Sequence, residues 1–216
     1  NYVDYFIANS YNVARRITKF YRRESHVIHC PVDCSKYQIS DEVDEYYLIV
    51  SRLREYKRID LAIQAFNQLN RPLVIIGEGS DRERLERMAS KNITFLGKVS
   101  DEMLQTYYAR CRALIFPGEE DFGLTPVEVQ AAGRPVIAYA RGGALETVQE
   151  GVTGRLFYPQ SPEALTDAIR TFDITSVNSQ AIRQHALQFD VSHFKERMQA
   201  YLEECLLRKR VCCVNG

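Results

Sequence analysis

Two carboxylates, Glu120 and Glu128, stand with seven residues between them, Asp-Phe-Gly-Leu-Thr-Pro-Val. The apolar run ALIF precedes the pair, and a helical pattern expected over 126–132 follows it. Gly123 lets the backbone turn tightly and approach a ligand, and Pro126 suits a first helical turn, where a missing N–H costs nothing. The free N–H groups of Leu124 and Thr125 would then point out of a helix N-terminus, whose partial positive charge suits a phosphate oxygen. Glu128, expected in the first turn, can accept hydrogen bonds from vicinal hydroxyls such as those of a ribose. Glu120 sits on the loop before it. One ligand with phosphates in the middle and hydroxyls at both ends would satisfy both acids. The plainer alternative is that Glu119, Glu120, Asp121 and Glu128 are solvated acids around a strand-to-helix loop.

Cations are available nearby in the same kind of place. The run SRLREYKR lies between the strand-like YYLIV and the helical IDLAIQAF, so Arg52 and Lys57 leave the carboxyl end of a sheet, where open α/β folds bind ligands. Arg54 and Arg58 read as solvated or structural. Gly77-Glu78-Gly79 is half of a dinucleotide fingerprint, but Arg82 stands where its third glycine belongs, so it reads as a tight turn near the ligand. Gly142 and Gly143 form another turn, with Glu146 a helix-dipole partner. His26, His29, Cys30 and Cys34 fall within nine positions, yet their spacing fits no standard zinc motif. No metal site is expected. His185 and His193 read as surface residues. No serine or cysteine nucleophile motif occurs, and two acids occupied by one ligand are not the acid and base of a hydrolase.

These residues need a sheet to hold them. Short runs rich in β-branched residues alternate with amphipathic stretches, the pattern of βα units that build a parallel sheet. Strands are expected at 5–9, 27–30, 47–50, 73–76, 93–96, 113–116, 135–139 and 154–157. Helices are expected at 11–21, 58–68, 80–90, 101–110, 126–132, 144–150 and 161–170, several opened by Ser, Asp or Pro. The segment 173–180, DITSVNSQ, has a linker's composition. A last helix over about 191–207 carries Phe194, Met198, Tyr201, Cys205 and Leu206 on one stripe. Packing on a neighbouring domain is the commoner use of such a stripe. With Arg208, Lys209 and Arg210 nearby, a peripheral membrane contact is the alternative.

The bulk properties narrow the partners. Lys plus Arg (28) balance Asp plus Glu (28), so no overall field draws the chain to nucleic acid or an anionic surface, and an anion must be met locally. No apolar run is long enough for a membrane span and no leader opens the chain, so the expected compartment is the cytoplasm, possible contact with the inner face of the cell membrane aside. Six scattered cysteines fit reduced thiols. The chain starts at Asn1 in strand-like sequence without an initiator Met, so a piece of a longer protein is expected.

The acidic motif and the AAGRPVIA after it resemble the signature of the family-4 group of GT-B glycosyltransferases (glycosyl transferases group 1). The likeness continues through FIANSYNVARRI, VSRLREYKRIDLAIQAF, VIIGEGSDRERLE, ITFLGKVS, GGALETV and GVTGRLF. It departs from the pattern at Ser51, where a glycine commonly precedes the arginine. The resemblance implies a Rossmann-like doubly wound parallel sheet, the C-terminal half of a GT-B fold, over 1–188. A C-terminal amphipathic helix (189–208) would pack on the absent N-terminal domain, and a disordered tail (209–216) would follow. It further implies that Glu120 contacts hydroxyls of the transferred sugar, Glu128 holds the ribose, and Arg52 and Lys57 stabilise the diphosphate leaving group. Backbone groups of Phe122, Gly123, Leu124 and Thr125 would meet sugar and diphosphate, and those of Lys98 and Val99 the base, with Gly77 close by. The implied reaction is retaining and metal-independent, with no cofactor. The donor would be a UDP-sugar or GDP-sugar, UDP-glucose first and GDP-mannose second, and the acceptor a carbohydrate or lipid-linked glycan held by the absent half. Such a piece would bind donor without efficient transfer. A nucleotide-sugar 2-epimerase, a non-catalytic sugar-nucleotide-binding module and a nicotinamide dehydrogenase are the rivals, the last disfavoured by the broken glycine motif.

Overall fold

The computed structural model describes residues 3–214. Strands β1 (Ile7–Ala8) and β2 (His26–Val27) pair in parallel across helix α1 (Tyr11–Tyr21), forming a small sheet of their own. The main sheet holds β3 (Tyr47–Val50), β4 (Leu73–Ile76), β5 (Ile93–Gly97), β6 (Leu114–Phe116), β7 (Val136–Tyr139) and β8 (Gly154–Phe157). All six are parallel, in the order β5-β4-β3-β6-β7-β8. The two N-terminal runs expected as part of one sheet therefore stand apart from it.

Helices cover both faces, which is why the central strands read as unbroken apolar runs. Tyr47, Ile49, Ile115, Ile137 and Tyr139 pack on one side with α2 (Ile59–Leu69), α3 (Arg82–Met88) and α7 (Pro162–Thr171). Leu48, Leu114, Val136 and Ala138 point to the other, where α4 (Asp101–Arg110), α5 (Leu124–Ala131) and α6 (Ala144–Thr147) lie. Adjacent residues of one strand thus feed opposite cores, as the period of two requires. Capping follows the sequence: Ser10, Ser100 and Ser161 accept hydrogen bonds from the third residue of α1, α4 and α7, and Pro162 opens α7.

Three boundaries differ from expectation in ways that matter. Helix α5 starts at Leu124, two residues early, because Gly123 adopts φ 89° and turns the chain into the helix there. Glu128 consequently lies in the second turn. Helix α8 (Ser179–Leu187) follows the linker-like stretch directly and buries Ile182 and Ala186. His185 on it is half-buried, its Nδ1 3.0 Å from Oε1 of Gln130, so it is not a surface residue, and burial lowers its pKa. Helix α9 (Val191–Val214) carries the expected stripe as far as the buried Cys205, but Leu206 is exposed. It packs on the β1–β2 sheet: Tyr201 stacks on His26 at 4.1 Å between centroids, and Lys209 pairs with Asp4 at 2.8 Å. The tail expected from residue 209 falls on the end of this helix and, beyond 214, outside the described residues.

Candidate functional site

Strand order reverses between β3 and β6, and in an open parallel sheet the loops leaving the strands at that point diverge and leave a crevice. A small cavity there is lined by Val50, Ser51, Lys57, Phe116, Gly118 and Glu120. Sequence residues 57 and 120, far apart along the chain, meet in it: Lys57 Nζ pairs with Glu120 Oε1, both side chains largely buried. Larger clefts, such as the groove lined by Arg22, Arg23, His26 and Tyr201, lie away from these groups.

Backbone packing fixes the loops. Lys57 sits on a single 3-10 turn, Glu55–Lys57, and the β6 loop passes so close that a Cβ on Gly118 would stand 2.9 Å from the Lys57 carbonyl oxygen. Gly142 and Gly143 form a floor under the acidic loop: Gly143 N–H donates to the Glu120 carbonyl at 2.8 Å, and a Cβ on Gly143 would lie 2.1 Å from the carbonyl oxygen of Phe122. Gly77, φ 130°, presses on the loop that carries Arg52, its imagined Cβ 1.9 Å from the Ser51 carbonyl oxygen. Leu53 N–H donates to the Glu78 carbonyl at 2.9 Å, and Gly77 N–H to that of Gly97 at 2.8 Å, so the loops after β3, β4 and β5 are stapled in sequence. Gly77 thus has a packing role beside any contact with ligand.

The remaining expected residues fall along the same rim. Arg52 is exposed, and among the described residues its guanidinium makes no hydrogen bond or ion pair. Arg54 donates to Ser80 Oγ at 2.9 Å and Arg58 to Gln160 Oε1 at 3.2 Å, which makes both structural. Phe122 is 3% exposed, its ring among Val127, Ala131, Ala186 and Phe189, so only its main chain can face a ligand. Leu124 and Thr125 open α5, and Leu124 is 45% exposed. Lys98 and Val99 follow β5, two strands from the switch point. Lys98 is exposed, and Val99 packs in the same core cluster as Tyr37 and Tyr108.

Glu128 is held inside the fold. Its Oε2 accepts a hydrogen bond from the Tyr108 hydroxyl at 2.8 Å, and among the described residues it has no ion pair. Burial raises the carboxyl pKa, while Tyr108 and Tyr37 pull it down; burial and the nearby carboxylate raise the pKa of both phenols. Glu128 and the Lys57–Glu120 pair therefore differ: one acid is matched by hydroxyl groups, the other by a cation.

Further side chains bear on the site through partners distant in sequence. Tyr108 lies in the expected helix 101–110 and Tyr37 in a segment with no expected element. Asp121 pairs with Arg16 of α1 at 2.5 Å, which ties the acidic loop to the small sheet's helix. Glu146 serves a helix dipole, but that of α1: its oxygens accept the N–H groups of Tyr11 and Asn12 at 2.9 Å, and His29 Nε2 lies 3.0 Å away. No local signal marks any of these, since each depends on a partner distant in sequence. Among the described residues no group of three or more His, Cys, Asp or Glu side chains is placed to hold a metal, and no helix is long and apolar enough to cross a membrane.

Fold and crevice together define a doubly wound α/β domain of Rossmann type with polar groups gathered at its switch point. The chain belongs to the glycosyl transferases group 1 family, whose model matches residues 35–186. It is 34% identical over 122 residues to the alpha-1,3/1,6-mannosyltransferase ALG2 of Rhizomucor pusillus, a match covering 54% of this chain and 27% of that protein. Among solved structures, a sucrose-phosphate synthase from Thermosynechococcus elongatus superposes with a TM-score of 0.85 at 24% identity, over 95% of this chain and 59% of that one. Anabaena HepE in complex with UDP-glucose does so with a TM-score of 0.82 at 24% identity, over 94% and 64%. The chain thus spans less than two thirds of the length of each of these proteins.

Proposed function

We propose that this chain is the donor-binding part of a retaining, metal-independent glycosyltransferase that moves a hexose from a nucleoside diphosphate to a carbohydrate or lipid-linked acceptor. The observation that carries the reading is the meeting of Lys57 and Glu120 at the switch point, on the loop that leads into α5 and the half-buried Glu128. The diphosphate would take Lys57 from Glu120, with Arg52 and the N–H groups of Leu124 and Thr125 as further donors. Freed of its cation, Glu120 accepts hydrogen bonds from hydroxyls of the transferred sugar. Glu128 takes the ribose, and the main chain of Lys98 and Val99 the base.

As the bond from the anomeric carbon to the diphosphate oxygen breaks, negative charge grows on that oxygen, and these donors stabilise it more than they stabilise the intact donor. The acceptor oxygen bonds to the same face of the sugar, and its proton passes to the departing diphosphate. Charge supplied by Lys57, Arg52 and the helix N-terminus replaces a divalent metal. The acceptor would be held by residues beyond this chain, in a cytoplasmic enzyme that meets membrane-borne acceptors peripherally.

GDP-mannose is the donor to test first, because ALG2 is named a mannosyltransferase and is 34% identical over the matched region. UDP-glucose is the second, prompted by the HepE complex. Calorimetric titration with each, in buffer containing EDTA, is expected to show saturable binding of at least one. Binding of neither, or binding that EDTA abolishes, would contradict the reading.

A further inference from the structure

We infer that Tyr108, with Tyr37 beside it, is a positioning residue for ribose recognition: its hydroxyl locks one oxygen of Glu128 so that the carboxylate faces the vicinal hydroxyls of a ribonucleoside diphosphate. This rests on Glu128 being the ribose acceptor. Tyr108 is wholly buried, and its hydroxyl donates to Glu128 Oε2 at 2.8 Å from a helix, α4, separate from the one that carries the acid. Oε2 takes the Tyr108 hydroxyl and Tyr37 bears on the same carboxylate, which leaves its spare lone pairs to accept from a ligand.

The geometry suits this task better than simple core packing. A tyrosine buried only for its ring would be replaceable by phenylalanine, and a buried phenol needs a partner that a backbone carbonyl could supply. Here the partner is a carboxylate with no cation, an arrangement that costs desolvation and that core packing alone does not require. The ring of Tyr37 meets that of Tyr108 edge-on at 5.8 Å, and Val99, beside the expected base site, packs in the same cluster. Two phenols thus flank the acid from α4 and from the segment before β3. Besides Glu128, the groups acting on them are Tyr37 and Cys111 at Tyr108, and Cys34, Asp101 and Asp33 at Tyr37. None is a cation that could replace the hydroxyl.

A lock of this kind has a signature that loss of stability does not share. Replacing the hydroxyl frees the carboxylate to rotate and removes a group that lowers its pKa, so ribose selectivity falls and donor binding fails at a higher pH. The test compares the parent, Tyr108→Phe, Tyr37→Phe and Glu128→Gln, titrated with UDP and GDP and with their 2′-deoxy counterparts. Tyr108→Phe is expected to weaken the ribonucleotide about tenfold, the 2′-deoxy form much less, and to move the acid limit of binding upward. Tyr37→Phe should do the same to a smaller extent.

If Glu128→Gln leaves the ribose-to-deoxyribose ratio unchanged, or no diphosphate binds the parent, the ribose reading of Glu128 fails and this inference with it. If Glu128→Gln collapses the ratio while folded Tyr108→Phe and Tyr37→Phe retain the parental ratio and pH limit, the inference alone is overturned. Should Tyr108→Phe not fold, the half-buried Tyr37→Phe decides on the same two readouts.

Discussion

On the proposed reading, Glu128 serves binding at the expense of stability. Burial raises its pKa, so between the unfolded and folded values the native state binds more protons than the unfolded state. Stability attributable to this group is therefore present at acid pH and lost as pH rises through the folded pKa. Two outcomes follow with opposite signs. Glu128→Gln is expected to raise the melting temperature at neutral pH, measured by calorimetry, while donor affinity falls. In the parent, donor affinity should decline as pH drops through the raised pKa, because a protonated carboxyl accepts fewer hydrogen bonds. Lys57 behaves differently. Lys57→Ala leaves Glu120 without its cation and the diphosphate without a donor, and a charge-assisted contact of this kind is worth roughly 1.5–3 kcal/mol. The expected loss in nucleoside diphosphate affinity is about tenfold to a hundredfold, and much less for the nucleoside alone.

At the scale of elements, the acidic loop is held by what passes beneath and beside it. Gly143 has an ordinary φ of −67°, so its identity is set by space: a Cβ would meet main-chain atoms of Phe122. Gly143→Ala is expected to cost about 1–3 kcal/mol in chemical denaturation, as overpacking against backbone does, and to weaken donor binding by moving the loop. The sequence made much of this level legible. Strands 47–50, 73–76 and 154–157 and helices 11–21 and 101–110 coincide with the structure: the two central strands are short apolar runs, and Ser10 and Ser100 cap the two helices. Helix α8 was hidden because its buried face is short, and the early start of α5 because a left-handed Gly123 can open a helix as well as end a turn. The cation and the two acids could be read from type and placement. Tyr108, Tyr37 and Arg16 could not, because their roles exist only across elements.

The whole molecule is organised as a large sheet with a small one attached. Strands β1 and β2 pair with each other and not with the main sheet. The long helix α9 packs on the small sheet, with Tyr201 stacked on His26 and the Tyr5 hydroxyl donating to the Cys205 carbonyl. Glu146 joins the two parts at the N-terminus of α1, with Arg16 and Asp121 a second link from the same helix to the acidic loop. Glu146 is largely buried, so Glu146→Ala should destabilise the protein by about 2 kcal/mol, the scale of charge-assisted bonds to exposed helix donors. Amide hydrogen exchange is expected to rise first in α1 and the acidic loop, with β3, β4 and β6 still protected.

On the proposed reading one nucleoside diphosphate lies across the switch point, its diphosphate between Lys57 and the start of α5, its ribose on Glu128. A crystal structure of the chain soaked with GDP or UDP measures this directly. Diphosphate density is expected within hydrogen-bond reach of Lys57 Nζ and the N–H groups of Leu124 or Thr125, with a ribose hydroxyl on the Glu128 carboxylate and the Lys57–Glu120 pair opened. A nucleotide bound elsewhere, such as in the groove between β2 and α9, or one at the switch point that leaves Glu128 on Tyr108 alone, would contradict it.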